Sequence, residues 1–337
     1  MTDDRTDPAA KAIAPAKARR APGRHRARGL TRELVKKPAL RRLLGDLLVR
    51  RPLRPAAERS DVVIACYPGL PYHRHMLWKA VLHAGMRLEP YRGDKGRTPA
   101  IGLFWADRVA MPDNRVGPTP PRSWWRGALN GRTGQDSKRT VEAVFASVFG
   151  YPLAIDPTTH CGPAVAKSDR DNGAHDGRVI DCPIAEADPG LAYEAVIDNR
   201  ADEATVVDYR VPVIGGEIPF VYVKRRPLSD RFANANAEVA LTEPDAVFSR
   251  DEQAGLAEVC RRLALDLGVE LDVLRDRTDG RIYVVDANPN AWGPPRPIAA
   301  ADAVRAVRLY ASALVRLAER KSARAPEGVG GAVVDTP

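Results

Sequence analysis

The residues with the clearest chemical potential lie in one stretch, Gly268-Val-Glu-Leu-Asp-Val-Leu-Arg-Asp-Arg-Thr-Asp-Gly-Arg-Ile-Tyr-Val-Val-Asp-Ala-Asn-Pro-Asn290. Asp272 sits between Leu271 and Val273, and Asp286 and Asn288 alternate with Val285 and Ala287. A period of two puts Asp286 and Asn288 on one face of a strand. A hairpin turning at Thr278-Asp279-Gly280 brings Asp272 across from them. Oxygen-only donors converging in this way suit Mg²⁺, which takes one or two carboxylates together with substrate phosphates. The same alternation also describes surface acids on any half-exposed antiparallel strand. A second feature is Lys167, at the end of an apolar strand and ahead of the polar, glycine-containing loop Ser168–Gly177. A lysine there can hold a phosphate while backbone N–H groups cover it, although taken singly it reads as an ordinary solvated lysine. Neither GxxxxGK[ST] nor GxGxxG occurs, and no Ser/His/Asp set suggests a nucleophile. His160-Cys161 reads as an unrelated pair, since adjacent residues of an extended chain face apart. His73 and His75 lack a third metal ligand nearby and read as a helix-start loop.

These residues need a framework, and the pattern from residue 61 onward supplies an α/β one. Strands are expected at 61–67, 100–107, 163–167, 178–182, 192–198, 205–216, 218–226, 269–276 and 281–288, from apolar and β-branched runs. Gly215-Gly216 marks a hairpin between two of them. Helices are expected at 73–85, 137–150, 251–268 and 298–321, three of them closed by Gly85, Gly150 and Gly268. The stretch 108–135, rich in Pro, Arg and Gly, reads as a linker or long loop, with Trp124-Trp125 packing against the body. Residues 39–50 carry leucines at helical spacing among arginines and read as a short basic amphipathic helix. That helix is expected to dock on the domain that follows; a membrane-surface or partner-protein contact is the alternative. Residues 1–29 and the tail after about residue 322 are expected to be disordered.

Charge and composition narrow the classes. Of 52 Lys/Arg and 43 Asp/Glu, 16 bases but only 5 acids fall in residues 1–54. The basicity belongs to that segment, and the remainder is slightly acidic, so no nucleic-acid partner is expected for the main body. No apolar run approaches the roughly 20 residues of a membrane span, and the start lacks the apolar core of a secretion signal. The four cysteines are far apart without a CxxC pair, against a disulfide framework or a thiolate zinc site. A cytoplasmic location is expected.

The region from about 137 to 296 resembles an ATP-grasp domain, nearest to the ribosomal-protein glutamate ligase and glutathione synthetase branch, with D-alanine–D-alanine ligase more distant. Ser137-Lys138 opens a helix as does the family's first nucleotide-binding lysine, and Ala164-Val165-Ala166-Lys167 resembles the strand with the second. Asp208–Gly215 resembles the acid-x-Arg strand before a hairpin. Lys224-Arg225-Arg226 falls where the family has a basic residue near the phosphates. Leu271-Asp272-Val273 and Val285-Asp286-Ala287-Asn288 resemble the metal-binding strands, with Asp286 in place of the usual Glu.

The resemblance implies an α+β fold of two subdomains over residues 131–321, preceded by a small doubly wound α/β domain at 55–130 that helps bind the acceptor. Residues 1–54 are expected to be a basic disordered tail with the amphipathic helix, and residues 322–337 a disordered tail. Lys138 and Lys167 would bind ATP. Glu194, Ala195 and Ile197 would belong to the hinge that reads adenine, and Asp208 would sit near the ribose. Arg210, Lys224 and Arg226 would face the phosphates or an acyl phosphate. Asp272, Asp286 and Asn288 would hold Mg²⁺. The implied reaction joins a carboxylate to an amine with ATP and Mg²⁺, and the substrates are a small-molecule or peptide carboxylate and an amine. Phosphoryl transfer without ligation, as in a small-molecule or sugar kinase, is the alternative. A non-enzymatic surface-binding role for the basic tail is a third reading. Two departures stand out. The loop 168–177 is polar rather than glycine-rich, with His175, Asp169, Asp171 and Asp176 in it. The segment Pro289–Pro295 contains Trp292, a candidate substrate-facing aromatic.

Overall fold

The computed structural model describes residues 60–93, 101–106, 118–131, 137–170, 176–233 and 235–323. The basic helix expected at 39–50, both expected tails apart from Ser322 and Ala323, and the tip of the 168–177 loop lie outside them. Near the start, β1 (Val63–Pro68) runs parallel to β2 (Arg87–Pro90) and β3 (Ile101–Trp105) in the order β2-β1-β3. Helix α1 (Met76–His83) makes the crossover between β1 and β2. All but the last residue of β1 are buried, because both faces are covered. Ile64, Cys66, Leu103 and Trp105 pack with α1 and the last helix, α5 (Ala300–Ala323). On the other side Ala65, Tyr67 and Tyr91 meet Phe104, Trp124 and Trp125.

Those tryptophans correct one expectation. The stretch 108–135 is not all linker: Arg122–Gly127 form a short helix, α2, whose rings stack edge-on against Tyr67 and each other. Beyond it, buried Asn130 donates to Leu267 O at 2.6 Å and accepts from the Asp266 and Leu267 N–H groups at 2.7 and 3.0 Å. Its backbone has φ of +55°, a conformation asparagine adopts more readily than most residues.

Helix α3 (Lys138–Phe149) begins at Ser137, whose hydroxyl accepts from Thr140 N, and stops at Gly150 with φ of +80°, a start and stop pattern its sequence anticipates. It precedes a three-stranded antiparallel sheet, β4 (Gly162–Ser168), β5 (Arg178–Cys182) and β6 (Leu191–Ala195), ordered β5-β4-β6. The larger antiparallel sheet has the order β11-β10-β7-β8-β9. It comprises β7 (Thr205–Val213), β8 (Val221–Pro227), β9 (Glu238–Thr242), β10 (Val269–Arg275) and β11 (Ile282–Asn288). The β7–β8 hairpin turns on Gly215 and Gly216, with φ of +55° and +84°. Successive left-handed residues of this kind make the tight turn that glycine favours.

Helix α4 (Arg250–Arg262) opens with a full capping box between Ser249 and Glu252. It ends six residues before Gly268, another correction: Leu263 is the last cap and Ala264 turns to φ of +54°. Leu263, Leu265 and Leu267 remain buried there, so the apolar pattern persists through a non-helical connection. Strands β2 and β9 went unanticipated. Both are short edge strands, β9 with a single fully buried residue.

The large sheet has two different faces. Val211, Val213, Val269, Leu271, Val273 and Val284 pack against Val141 and Phe145 of α3 and Leu256 and Val259 of α4. On the opposite face, Ile214, Phe220 and Tyr222 join the core under α5 and the three-stranded parallel sheet. Helix α5, at the end of the chain, thereby completes the core of the N-terminal strands. The rest of that face carries the candidate site. No helix among the described residues is long and apolar enough to cross a membrane.

Candidate functional site

Alternation along four neighbouring strands puts polar side chains on the uncovered part of this face. Asp208 and Arg210 alternate with Val207, Tyr209 and Val211 on β7; Lys224 and Arg226 lie on β8; Asp272 on β10; Asp286 and Asn288 on β11. The register makes Asp208 opposite Lys224, Asp272 opposite Arg210, and Asp272 opposite Asp286. A bulge follows, so that Val273 pairs with Val284 and the extra residue, Val285, also reaches the cavity. Lys138 comes from the first turn of α3, and Lys167 and Glu194 from β4 and β6. One cavity of about 230 Å³ is lined by all twelve residues singled out above for catalysis, cofactor binding or metal ligation.

Its electrostatics are dense. The Asp272 carboxylate accepts from Arg210 Nε and Nη2 at 3.0 and 2.8 Å, from Lys224 Nζ at 2.7 Å and from Asn288 Nδ2 at 3.1 Å. Burial opposes its ionisation, but Arg210 and Lys224 outweigh that and hold it far below the usual carboxylate range. Burial lowers the Lys224 ammonium, against the pull of Asp272. Asp208 accepts from Asn199 Nδ2 at 2.9 Å and pairs with Arg226 Nη2 at 2.6 Å. Lys167 Nζ donates to Val285 O at 2.6 Å and lies 2.5 Å from Glu194 Oε1. Lys138 Nζ is 3.7 Å from Asp286 Oδ1.

The donor set fits a hard divalent cation. Asp286 Oδ1 is buried with no hydrogen-bond partner, an arrangement that costs free energy unless something else meets it. The carboxylates of Asp272 and Asp286 and the Asn288 amide oxygen offer oxygen ligands in adjacent register, while Asn288 Nδ2 donates to Asp272. Among the described residues no group of three His, Cys, Asp or Glu side chains forms a closed metal cage, and Mg²⁺ does not need one because substrate phosphates and water complete its shell.

Several residues at the cavity escaped the sequence. Val165, Leu274 and Val285 join Ile197 as an apolar wall; on a strand such residues look like core. Residues Arg231, Phe232 and Asn236 form a strap after β8. Arg226 donates to Arg231 O and Asn236 Oδ1, and Arg231 donates to Ile197 O and Asn199 Oδ1. Phe232 lies against Gly177, where a Cβ would come within 3.0 Å of its Cδ1. The only sequence signal was a polar segment without periodicity. The loop after β4 is closed at its base by Ser168, whose N–H and hydroxyl donate to Asp176.

Other candidates stand apart from the cavity. Trp292 is 41% exposed, with the Arg74 guanidinium over its ring at 5.5 Å, and does not line it. His75 is buried and its Nδ1 accepts from Tyr72 N at 3.0 Å. Cys161 is exposed, Cys66 and Cys260 are buried, and all four cysteines are free.

No family model and no curated protein matches the chain. Among solved structures it is similar to the ATP-grasp ligase PsnB complexed with minimal precursor, at 12% identity and a TM-score of 0.48, covering 77% of this chain and 99% of that one. It is similar to the macrocyclase MdnC bound with precursor peptide MdnA from Microcystis aeruginosa MRC, at 13% identity and 0.41, covering 76% and 99%. D-alanine–D-alanine ligase from Bacillus anthracis complexed with ATP gives 11% identity and 0.42, covering 78% and 96%. Likenesses of this size carry no weight for activity, which must be read from the chain's own residues.

Proposed function

We propose that the cavity binds ATP with Mg²⁺ and that the protein activates a carboxylate as an acyl phosphate for attack by an amine. The observation that carries this reading is the convergence of six cationic side chains, five carboxylates and three amides on one cavity that also has an apolar wall. A nucleoside triphosphate has the matching parts: a flat apolar base, a polyanion, and oxygens that share a divalent cation. The sequence resemblance to ATP-grasp proteins points the same way.

In this reading the base lies along Val165, Ile197, Leu274 and Val285, with hinge residues Glu194 and Ala195 beside it. Asp208 faces the ribose. Lys138 and Lys167 bind phosphates. Arg210, Lys224 and Arg226 neutralise charge on the transferred phosphoryl group and on the acyl phosphate. Asp272, Asp286 and Asn288 would hold the cation, which when bound would supply positive charge to offset that of the phosphates. A substrate carboxylate oxygen attacks the γ-phosphorus and ADP leaves. The amine then attacks the acyl carbon, phosphate leaves and the amine gives up a proton. Phosphoryl transfer of this kind demands positioning and charge neutralisation more than a protein nucleophile, in keeping with a cavity that presents neither Ser nor Cys.

Asp272 accepts from Arg210, Lys224 and Asn288. Phosphates entering the cavity compete for Arg210 and Lys224, and this frees the Asp272 oxygens for the metal. The cations thereby serve as counter-ions in both states.

The test supplies ATP, Mg²⁺ and a panel of carboxylates, with hydroxylamine as a trapping amine. Ligation gives ADP and a hydroxamate only when a carboxylate is present. Formation of a stable phosphorylated product without any amine would assign the chain to phosphotransfer instead.

A further inference from the structure

Glu142 is a buried acid the proposed reaction does not use. It lies one turn beyond Lys138 on α3, is 4% exposed, and its Oε1 has no hydrogen-bond partner. Its carboxyl hydrogen-bonds with Glu194 on β6, itself 3% exposed. Glu194 in turn is held by Lys167. Two carboxyls touching in a space shielded from water cannot both ionise, and a bond between them needs a proton. Burial, reinforced by Glu194 and by Asp169, pushes Glu142 up to about 9, against the pull of Lys167. The charged groups around it are Lys138 on its own helix, Glu194 on β6, Lys167 and Asp169 at the end of β4, and Asp286 on β11, which faces Lys138.

We propose that Glu142 is a positioning residue for nucleotide binding: by keeping its proton it holds Glu194 through an O–H···O bond and leaves Lys167 free to pass from Glu194 to a phosphate. This rests on the nucleotide reading above. With the proton in place, the charges of Lys138, Lys167, Glu194 and Asp286 balance. Its loss adds a negative charge beside both lysines. That charge tightens their internal pairing and repels an incoming polyphosphate, so nucleotide affinity declines as pH rises through about 9.

The test compares wild type with E142Q, whose amide can still donate to Glu194 but cannot ionise. The first readout is thermal stability without nucleotide. Between about pH 4.5 and 9 the folded wild type keeps a proton that the unfolded chain releases, so its stability falls as pH rises through that window. E142Q lacks this loss, and the difference in Tm between the two proteins grows from pH 5 to 9. The second readout is calorimetric affinity for a non-hydrolysable ATP analogue with Mg²⁺. From pH 7.5 to 9.5 wild type weakens by about fourfold more than E142Q. Parallel Tm profiles overturn the shared proton, and parallel affinities overturn its link to Lys167. No binding by either protein, with the Tm difference intact, refutes the nucleotide reading and the link together while the proton stands. If E142Q does not fold, infrared spectroscopy of wild type decides the proton and calorimetry of wild type the link: the proposal expects a protonated-carboxyl band at pH 7.5 that disappears by pH 10, with affinity falling across the same range, and is overturned if the band is absent or affinity is flat.

Discussion

Arg210 on β7 grips the carboxylate of Asp272 on β10 through two parallel hydrogen bonds of 3.0 and 2.8 Å, at positions the sheet places directly opposite. Lys224 adds a third at 2.7 Å. Removing the acid leaves two largely buried cations facing each other. Asp272→Asn is therefore expected to cost about 3 kcal/mol of stability at neutral pH, measured by urea denaturation. The sign with pH follows from the depressed carboxyl. Its contribution is complete above the ordinary aspartate value of 3.8, and is lost as pH falls below that value towards the lower folded one. The deficit of the variant relative to wild type should shrink on acidification below about pH 4; a deficit unchanged by acid would mean that Asp272 is not held ionised by its neighbours.

Asp286 differs from Asp272 in having an orphaned oxygen. Asp286→Asn should leave circular dichroism unchanged and abolish Mg²⁺-dependent ADP release. Turnover equal to wild type would remove Asp286 from the metal site.

Lys138 and Lys167 both end inside the cavity. Substituting either by Met should weaken binding of an ATP analogue by tenfold or more, equivalent to about 1.4 kcal/mol. The two variants should differ in stability. Lys167→Met strands Glu194, which is 3% exposed, and so should lower Tm more than Lys138→Met, whose partner Asp286 is 3.7 Å away and partly exposed. Calorimetry and thermal melts on the same samples check both claims.

The polar alternation around Asp272 and Asp286 was legible because period two is a local property of a strand, and the Gly215-Gly216 turn because its backbone conformation demands glycine. Only the resemblance to ATP-grasp proteins then joined Lys138, Lys167 and the acids into one expected site. Burial was not legible. Glu142 has the look of a solvated helix residue, and only the packing of α3 against β11 and α4 turns it inward. The strap of Arg231, Phe232 and Asn236 has no periodicity to read. The end of α4 was misplaced because Leu263, Leu265 and Leu267 stay buried after the helix stops, so apolar content continued where helical geometry did not.

Gly268 closes that connection with φ of +82°, and a Cβ there would lie 2.6 Å from Trp105 Cζ3. Trp105 is fully buried in the core shared by β3, α1 and α5. Gly268→Ala combines a strained backbone with a clash against a fixed ring, and should cost about 2 kcal/mol. A Tm within a degree of wild type would show that the ring can yield.

The central claim is that this cavity holds a nucleotide together with a divalent cation. Thermal stability of the purified protein, with a non-hydrolysable ATP analogue and with or without Mg²⁺, tests it most directly. A ligand that binds only the folded state adds about 2.7 kcal/mol at 100 times its dissociation constant. The expected result is a rise in Tm that needs both components and disappears in Asp286→Asn. An unchanged Tm at millimolar nucleotide with Mg²⁺ would contradict the account.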